Sequence, residues 1–280
     1  MTTETLPTIE VDGTPLVYLE AGAGEPVVFV HGSLGDYRSW EAQFDVFAEH
    51  HRAIAYSRRH HHPNPCPAGD ADYAADLHAD DLGALLDGLG IGSAHVVGSS
   101  YGAYTALFLA SVHPARVRSL TISEPPVLPL LEEHPEGRPI RDTFLADVWG
   151  PAGDLLQRGR AEDGIRTFVD GLFGDGTFLD LPDDVHHMLR DNADEFTLET
   201  SSSRFWTPFD DADAARVTAP TLLFSGGDSL RMFQLVADEL EHRLPNAEHV
   251  RVPDCSHDLP AEDAAGFNDR VLRFIARHSA

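Results

Sequence analysis

The stretch Ala94-His95-Val96-Val97-Gly98-Ser99-Ser100-Tyr101-Gly102 decides the fold. Ala94 to Gly98 is a short apolar run of strand character, and a helical pattern opens at Tyr101. Between them stands Gly98-Ser99-Ser100-Tyr101-Gly102, a G-x-S-x-G. Alone, that pattern arises easily in a chain rich in Gly and Ser, and a plain glycine-rich turn is the competing reading. Placed between a strand and a helix, it predicts a sharp elbow. Small residues at both glycine positions let the chain pass close to itself, and Ser100 projects its hydroxyl outward as a candidate nucleophile.

The same strand-then-helix rhythm extends on both sides. Thr8 to Val11 and Pro15 to Glu20 flank Asp12-Gly13, a strong hairpin signal. Pro26 to Val30, Arg52 to Ser57, Val117 to Ile122, Pro220 to Ser225 and Ala247 to Val252 read as further strands. Helical spacing is expected over Asp36 to His50, Asp72 to Leu89, Tyr101 to His113, Leu230 to Leu244 and Glu262 to Arg277. Strands alternating with helices predict an α/β protein with a mostly parallel, doubly wound sheet. The alternation stops between Glu124 and Asp213, where helical patterns dominate. The expected organisation is a core of residues 1–124 and 214–280, with a helical cap inserted at 125–213. The insertion carries Leu128, Phe144, Trp149, Phe168, Phe173, Phe196, Phe205 and Trp206. Some must pack its own interior, and the rest are expected to line a site for a small apolar acyl substrate.

A serine hydroxyl becomes a good nucleophile only when a base takes its proton. His257 follows the last strand, and loops at the carboxyl ends of parallel strands converge on one edge, so it is the candidate base. Most of the other 15 of the 16 histidines have the bland reading of surface residues. The third member should orient the imidazole. Asp228, presented by Ser225-Gly226-Gly227-Asp228 after a strand, is the preferred acid, and Glu124 at the end of the preceding strand is its rival. Glu124 could equally be a residue capping the start of the insertion. For the oxyanion hole, the backbone N–H groups of Tyr101 and Ser33 are expected, with Leu34 as the alternative to Ser33. His31 is read as structural. His60-His61-His62 with Cys66 resembles a metal cluster, but consecutive histidines cannot all turn to one ion, so no metal is expected.

Taken in order, PVVFVHGSLG, AYSRRHHHPN, AHVVGSSYGAYTALFLA, LLFSGGDS and VPDCSHD resemble the landmarks of the α/β-hydrolase superfamily. The resemblance covers nearly the whole chain except the insertion, which corresponds to that family's cap. It implies a Ser-His-acid triad working without a cofactor. It does not choose a substrate, because esterases, lactonases, C–C hydrolases and perhydrolases share these motifs. Dehalogenases and epoxide hydrolases of the fold carry Asp at the nucleophile position, and Ser100 argues against both. Ser99 stands where many relatives have His or Asn. The expectation is hydrolysis of a carboxylic ester or lactone. The alternatives are a β-diketone C–C hydrolase, or a non-hydrolytic ligand-binding or cofactor-free member of the fold.

Composition narrows the partners. The 280 residues carry 46 Asp+Glu against 20 Lys+Arg, for a formal net charge of −26, and every one of those cations is Arg. Such a surface repels phosphate, so neither nucleic acid nor an anionic membrane is an expected partner. Two cysteines, Cys66 and Cys255, make no disulfide framework. Met1 to Pro7 lack the pattern of a secretory signal, and a cytoplasmic location is expected. Oligomeric state is left open.

Overall fold

A computed structural model of the protein describes residues 6–67 and 73–279. Its strands are β1 (Thr8–Val11), β2 (Thr14–Ala21), β3 (Pro26–Val30), β4 (Arg52–Tyr56), β5 (Ala94–Ser99), β6 (Val117–Ser123), β7 (Thr221–Gly226) and β8 (Ala247–Val252). Among the described residues they form one sheet in the order β1-β2-β4-β3-β5-β6-β7-β8. The β1–β2 and β2–β4 contacts are antiparallel, and the others are parallel. β5, which leads to Ser100, sits near the middle.

The central strands are apolar on both faces, and their period of two divides the core. Val28, Val30, Ile54, Tyr56, Val96, Leu120 and Ile122 join one cluster. Val27, Phe29, Ala53, Ala55, Val97, Leu222 and Phe224 join the other. Each face must therefore be covered. α1 (Glu41–Ala48) packs on the second face, while α2 (Ala75–Gly88) and α3 (Tyr101–Val112) pack on the first. The helix expected over Asp36 to His50 is split. Asp36 accepts hydrogen bonds as an N-cap, a 3₁₀ turn spans Tyr37–Trp40, and α1 begins only at Glu41. The start of the helix expected from Asp72 lies outside the described residues.

The chain between β6 and β7 is mainly helical. A 3₁₀ turn at Leu128–Leu131 leads to α4 (Gly137–Phe144), α5 (Gly150–Gln157), α6 (Ala161–Phe173), α7 (Thr177–Asp180), α8 (Asp183–Asp191), α9 (Ala193–Ser201) and α10 (Asp211–Arg216). A π-helical turn, Leu145–Trp149, joins α4 to α5. Aromatic rings hold this insertion together. Trp149 stacks on Phe205 at 4.6 Å, and Phe168 meets Phe196 at 4.8 Å. Phe205 also stacks on Tyr101 of α3 at 4.2 Å and 8°, so the insertion's interior is continuous with the core beside Ser100. α11 (Arg231–Arg243) covers the first face. α12 (Leu259–Glu262) is short, and α13 (Ala264–Arg277) covers the second face. The final helix starts at Ala264 rather than Glu262 because Asp263 caps it, accepting from the Gly266 N–H. No helix among the described residues is long and apolar enough to cross a membrane.

Candidate active site

Ser100 lies at φ 52°, ψ −126°, between β5 and α3. A non-glycine residue there stores roughly 1–3 kcal/mol of strain, which the surroundings must hold. Its N–H donates to the Ser123 carbonyl at 2.8 Å, fastening the elbow to β6. The glycines of the motif have steric reasons. A Cβ at Gly102 would fall 2.0 Å from the Val30 carbonyl oxygen, and one at Gly98 would fall 2.6 Å from the Gly102 carbonyl oxygen.

His257, in the loop after β8, brings Nε2 to 3.0 Å from Ser100 Oγ. Its Nδ1 lies 2.8 Å from Glu124 Oε2. A carboxylate only accepts, so Nδ1–H donates to Glu124 and Nε2 is left facing the serine. Glu124, not Asp228, therefore stands on the imidazole. Glu124 directly follows β6, at φ 46°, and is wholly buried. The Gly226 N–H donates to Oε1 at 2.7 Å, and the Ser229 hydroxyl donates to Oε2 at 2.5 Å. With the His257 bond, three donors fix that carboxylate. Asp228 is exposed, and its backbone N–H donates to the Cys255 carbonyl at 2.9 Å. The Gly-Gly turn thus ties the loop after β7 to the histidine's loop and leaves the Asp228 side chain outside. Strand order was the available signal for Glu124. Because β6 lies next to β5, a carboxylate at the end of β6 is one strand nearer Ser100 than one after β7. Phe233 of α11 stacks on the His257 ring at 4.1 Å.

Tyr101 opens α3, so its N–H is among those at a helix start that lack an intrahelical acceptor. Ser33 lines the cleft together with Ser100, whereas the Leu34 side chain is buried in the core. His31 is structural in its bonding. Its Nδ1–H donates to the Gly32 carbonyl at 2.9 Å, and its Nε2 accepts the Arg58 backbone N–H at 3.0 Å. Burial holds His31 well below the ordinary histidine range, so it is neutral near pH 7. The cleft walls include Phe144, Trp149, Phe168, Leu172, Trp206 and Met232, and about 300 Å³ is empty, counting the part open to solvent.

Sequence reasoning missed a buried polar cluster beneath α9. Arg58, Tyr73, His61, Glu195 and Glu199 are all at most 1% exposed. Tyr73 donates to Glu199 Oε1 at 2.8 Å, and Arg58 Nη2 lies 3.4 Å from the same oxygen. Burial pushes the Glu195 carboxyl up to about 7. Burial, and then the nearness of Glu195, push Glu199 well above the ordinary carboxylate range. The three consecutive histidines part ways. His60 faces the Pro65 carbonyl, His61 is buried, and the His62 N–H donates to Asn192. His61, Glu195 and Glu199 bring donor atoms within 4.8 Å of one another, a set able to hold a cation. Arg58 already supplies positive charge there, 3.4 Å from Glu199.

Fold and site together define an α/β hydrolase. The family model described as "alpha/beta hydrolase fold" matches residues 25–264, and the chain belongs to that family. It is 33% identical over 287 residues to the non-heme chloroperoxidase CPO-A1 of Kitasatospora aureofaciens, covering 94% of this chain and 97% of the other. It is 29% identical over 262 residues to the putative carbamate hydrolase RutD of Variovorax paradoxus, covering 92% and 94%. Among solved structures it is similar to Est816, described as an N-acyl homoserine lactone degrading enzyme, with a TM-score of 0.73 and 26% identity over 96% of this chain and 100% of that one.

Proposed function

We propose that the protein is a serine hydrolase that cleaves a carboxylic ester or lactone bearing an apolar acyl group. One observation carries the reading: Ser100 Oγ, His257 and Glu124 form a hydrogen-bonded line of 3.0 Å and 2.8 Å under an apolar cleft. Ser100 gives its proton to His257 Nε2 as its oxygen attacks the acyl carbon. The carbonyl electrons move onto oxygen, which the N–H groups of Ser33 and Tyr101 receive. The intermediate collapses, and the leaving alkoxide takes the proton from His257. Water then enters and gives a proton to His257 as its oxygen attacks the acyl carbon; the bond to Ser100 breaks, the serine oxygen takes that proton back, and the carboxylic acid leaves. Glu124 keeps Nδ1 protonated throughout and stabilises the imidazolium.

The lining favours this reading over cleavage of a charged ring-fission diketone. Among the described residues, the cleft offers no Arg to pair with a substrate carboxylate. A fluorophosphonate is the direct test, with the label located by mass spectrometry. It should modify Ser100 alone, and Ser100→Ala should abolish both labelling and turnover of p-nitrophenyl esters, a loss on the order of 10⁴ or more in kcat. A Ser100→Ala variant that keeps most of its activity sinks the proposal.

A further inference from the structure

We infer that Arg58 is a positioning residue for the oxyanion hole, an inference resting on the proposed role of the Ser33 and Tyr101 N–H groups. Arg58 follows β4 and is wholly buried. Its Nη2 donates to the Gly32 carbonyl at 3.1 Å, and its Nε donates to the His31 carbonyl at 3.1 Å. The Gly32 carbonyl and the Ser33 N–H belong to one planar peptide and point in opposite directions. Holding that carbonyl therefore aims that N–H. The same oxygen also accepts His31 Nδ1–H at 2.9 Å and the Gly35 N–H at 3.4 Å. Turning the peptide over would break all three bonds and put a carbonyl where the oxyanion forms. A cation on the carbonyl also polarises the peptide, which makes its N–H a stronger donor.

The guanidinium reaches the other half of the hole as well. Its carbon lies 5.1 Å from the centre of the Tyr101 ring, whose stacking partner is Phe205 of the insertion. Nη1 donates to the Tyr73 hydroxyl at 2.8 Å. Glu199 of α9 faces Nη2 at 3.4 Å. One fork thus spans the Ser33 peptide, the Tyr101 ring and a carboxyl of the insertion. Lysine has a single ammonium and cannot reproduce that fork.

The test uses the intact protein with Arg58→Lys and Arg58→Gln, so that one folded variant suffices. Competent sites are counted by fluorophosphonate labelling run to completion. Turnover of p-nitrophenyl butyrate per labelled site should fall about 10²-fold, the effect of losing one oxyanion donor, with KM changed by less than about threefold. Affinity for a trifluoromethyl ketone, which forms a tetrahedral oxyanion on Ser100, should fall in parallel, while affinity for the matching methyl ketone holds. Tyr73→Phe removes another bond from the same guanidinium without touching the Gly32 carbonyl. It should lower Tm yet keep kcat within about threefold. Wild-type kcat per labelled site in a folded Arg58 variant overturns the inference, as does an equal loss for both ketones. If the unaltered protein neither labels at Ser100 nor turns over esters, the proposed function itself has failed.

Discussion

Replacing Glu124 with Gln leaves the shape of the site but removes the acceptor that keeps the His257 proton on Nδ1. The amide can donate to Nδ1 instead, which strands a proton on Nε2, where Ser100 requires a base. Glu124→Gln is therefore expected to cost up to about 10⁴ in kcat, whereas Asp228→Asn should cost less than about threefold, because that side chain is exposed and its loop is held by backbone. Steady-state kinetics on both variants check the ranking, and the reverse order returns the acid to Asp228. That Ser100 and His257 would meet was legible in the sequence, because each occupies a fixed place relative to a strand end. Which carboxylate touches His257 was not, since two carboxylates followed neighbouring strands. The choice turned on the direction of one side chain, and Glu124 stands at a positive φ that a sequence pattern does not reveal. Arg58 was illegible for another reason. In sequence it is one of two adjacent arginines, Arg58 and Arg59, and nothing in the pattern says which is buried.

α9 carries Glu195 and Glu199 one turn apart, and both press on the loop after β4. Glu195 faces Glu199 on its own helix, Arg58 and His61 from the β4 loop, and Tyr73 ahead of α2. The folded protein holds Glu195 near 7, above the ordinary carboxylate value, so between those two values the folded state binds more protons than the unfolded one. Stability from this group is present in full below the ordinary carboxylate range and is lost as pH rises through about 7. Buried His31 and His61 act oppositely, since both sit well below their ordinary value and stabilise the fold as pH rises through it. The difference between the protein and Glu195→Gln isolates the glutamate. The Tm of the unaltered chain relative to the variant should fall from pH 5 to 8, and a difference that stays flat or climbs removes Glu195 as the group responsible. On the same insertion, Phe144 is 7% exposed and lines the cleft. Phe144→Ala should move the preferred p-nitrophenyl ester toward longer acyl chains, at about 3–5 kcal/mol of stability. An unchanged ranking from acetate to octanoate means this wall does not select the acyl group. The elements themselves were legible because apolar runs and helical stripes are local. β3 and β8 match the sequence reading residue for residue. The split before α1 escaped it, because that depends on Asp36 turning its carboxylate back onto its own backbone.

Across the whole molecule, 46 acidic side chains face 20 arginines, so at least 46 − 20 = 26 carboxylates have no cation of their own. Many of the arginines are already engaged, such as Arg52 with Glu20, Arg231 with Glu136 and Arg277 with Glu248. Exposed pairs of this kind contribute roughly 0–1 kcal/mol each, so screening them costs little. Repulsion from the excess negative charge is spread over the surface, and screening it releases more. The range of these forces shrinks from about 10 Å at 0.1 M salt to about 3 Å at 1 M. Tm should therefore climb with added NaCl. Most of the rise should come below about 1 M, where screening changes fastest, which separates it from the steadier salting-out effect of higher concentrations. The same field acts on substrates approaching the cleft. For a neutral p-nitrophenyl ester, kcat/KM should hardly respond to salt. For a hemisuccinate ester of equal length it should start lower and rise as salt screens the surface. A Tm that falls with salt would mean that the arginine pairs outweigh the repulsion. A hemisuccinate ester turned over as well as the neutral one at low salt would mean that the cleft holds a cation-bearing subsite for the carboxylate.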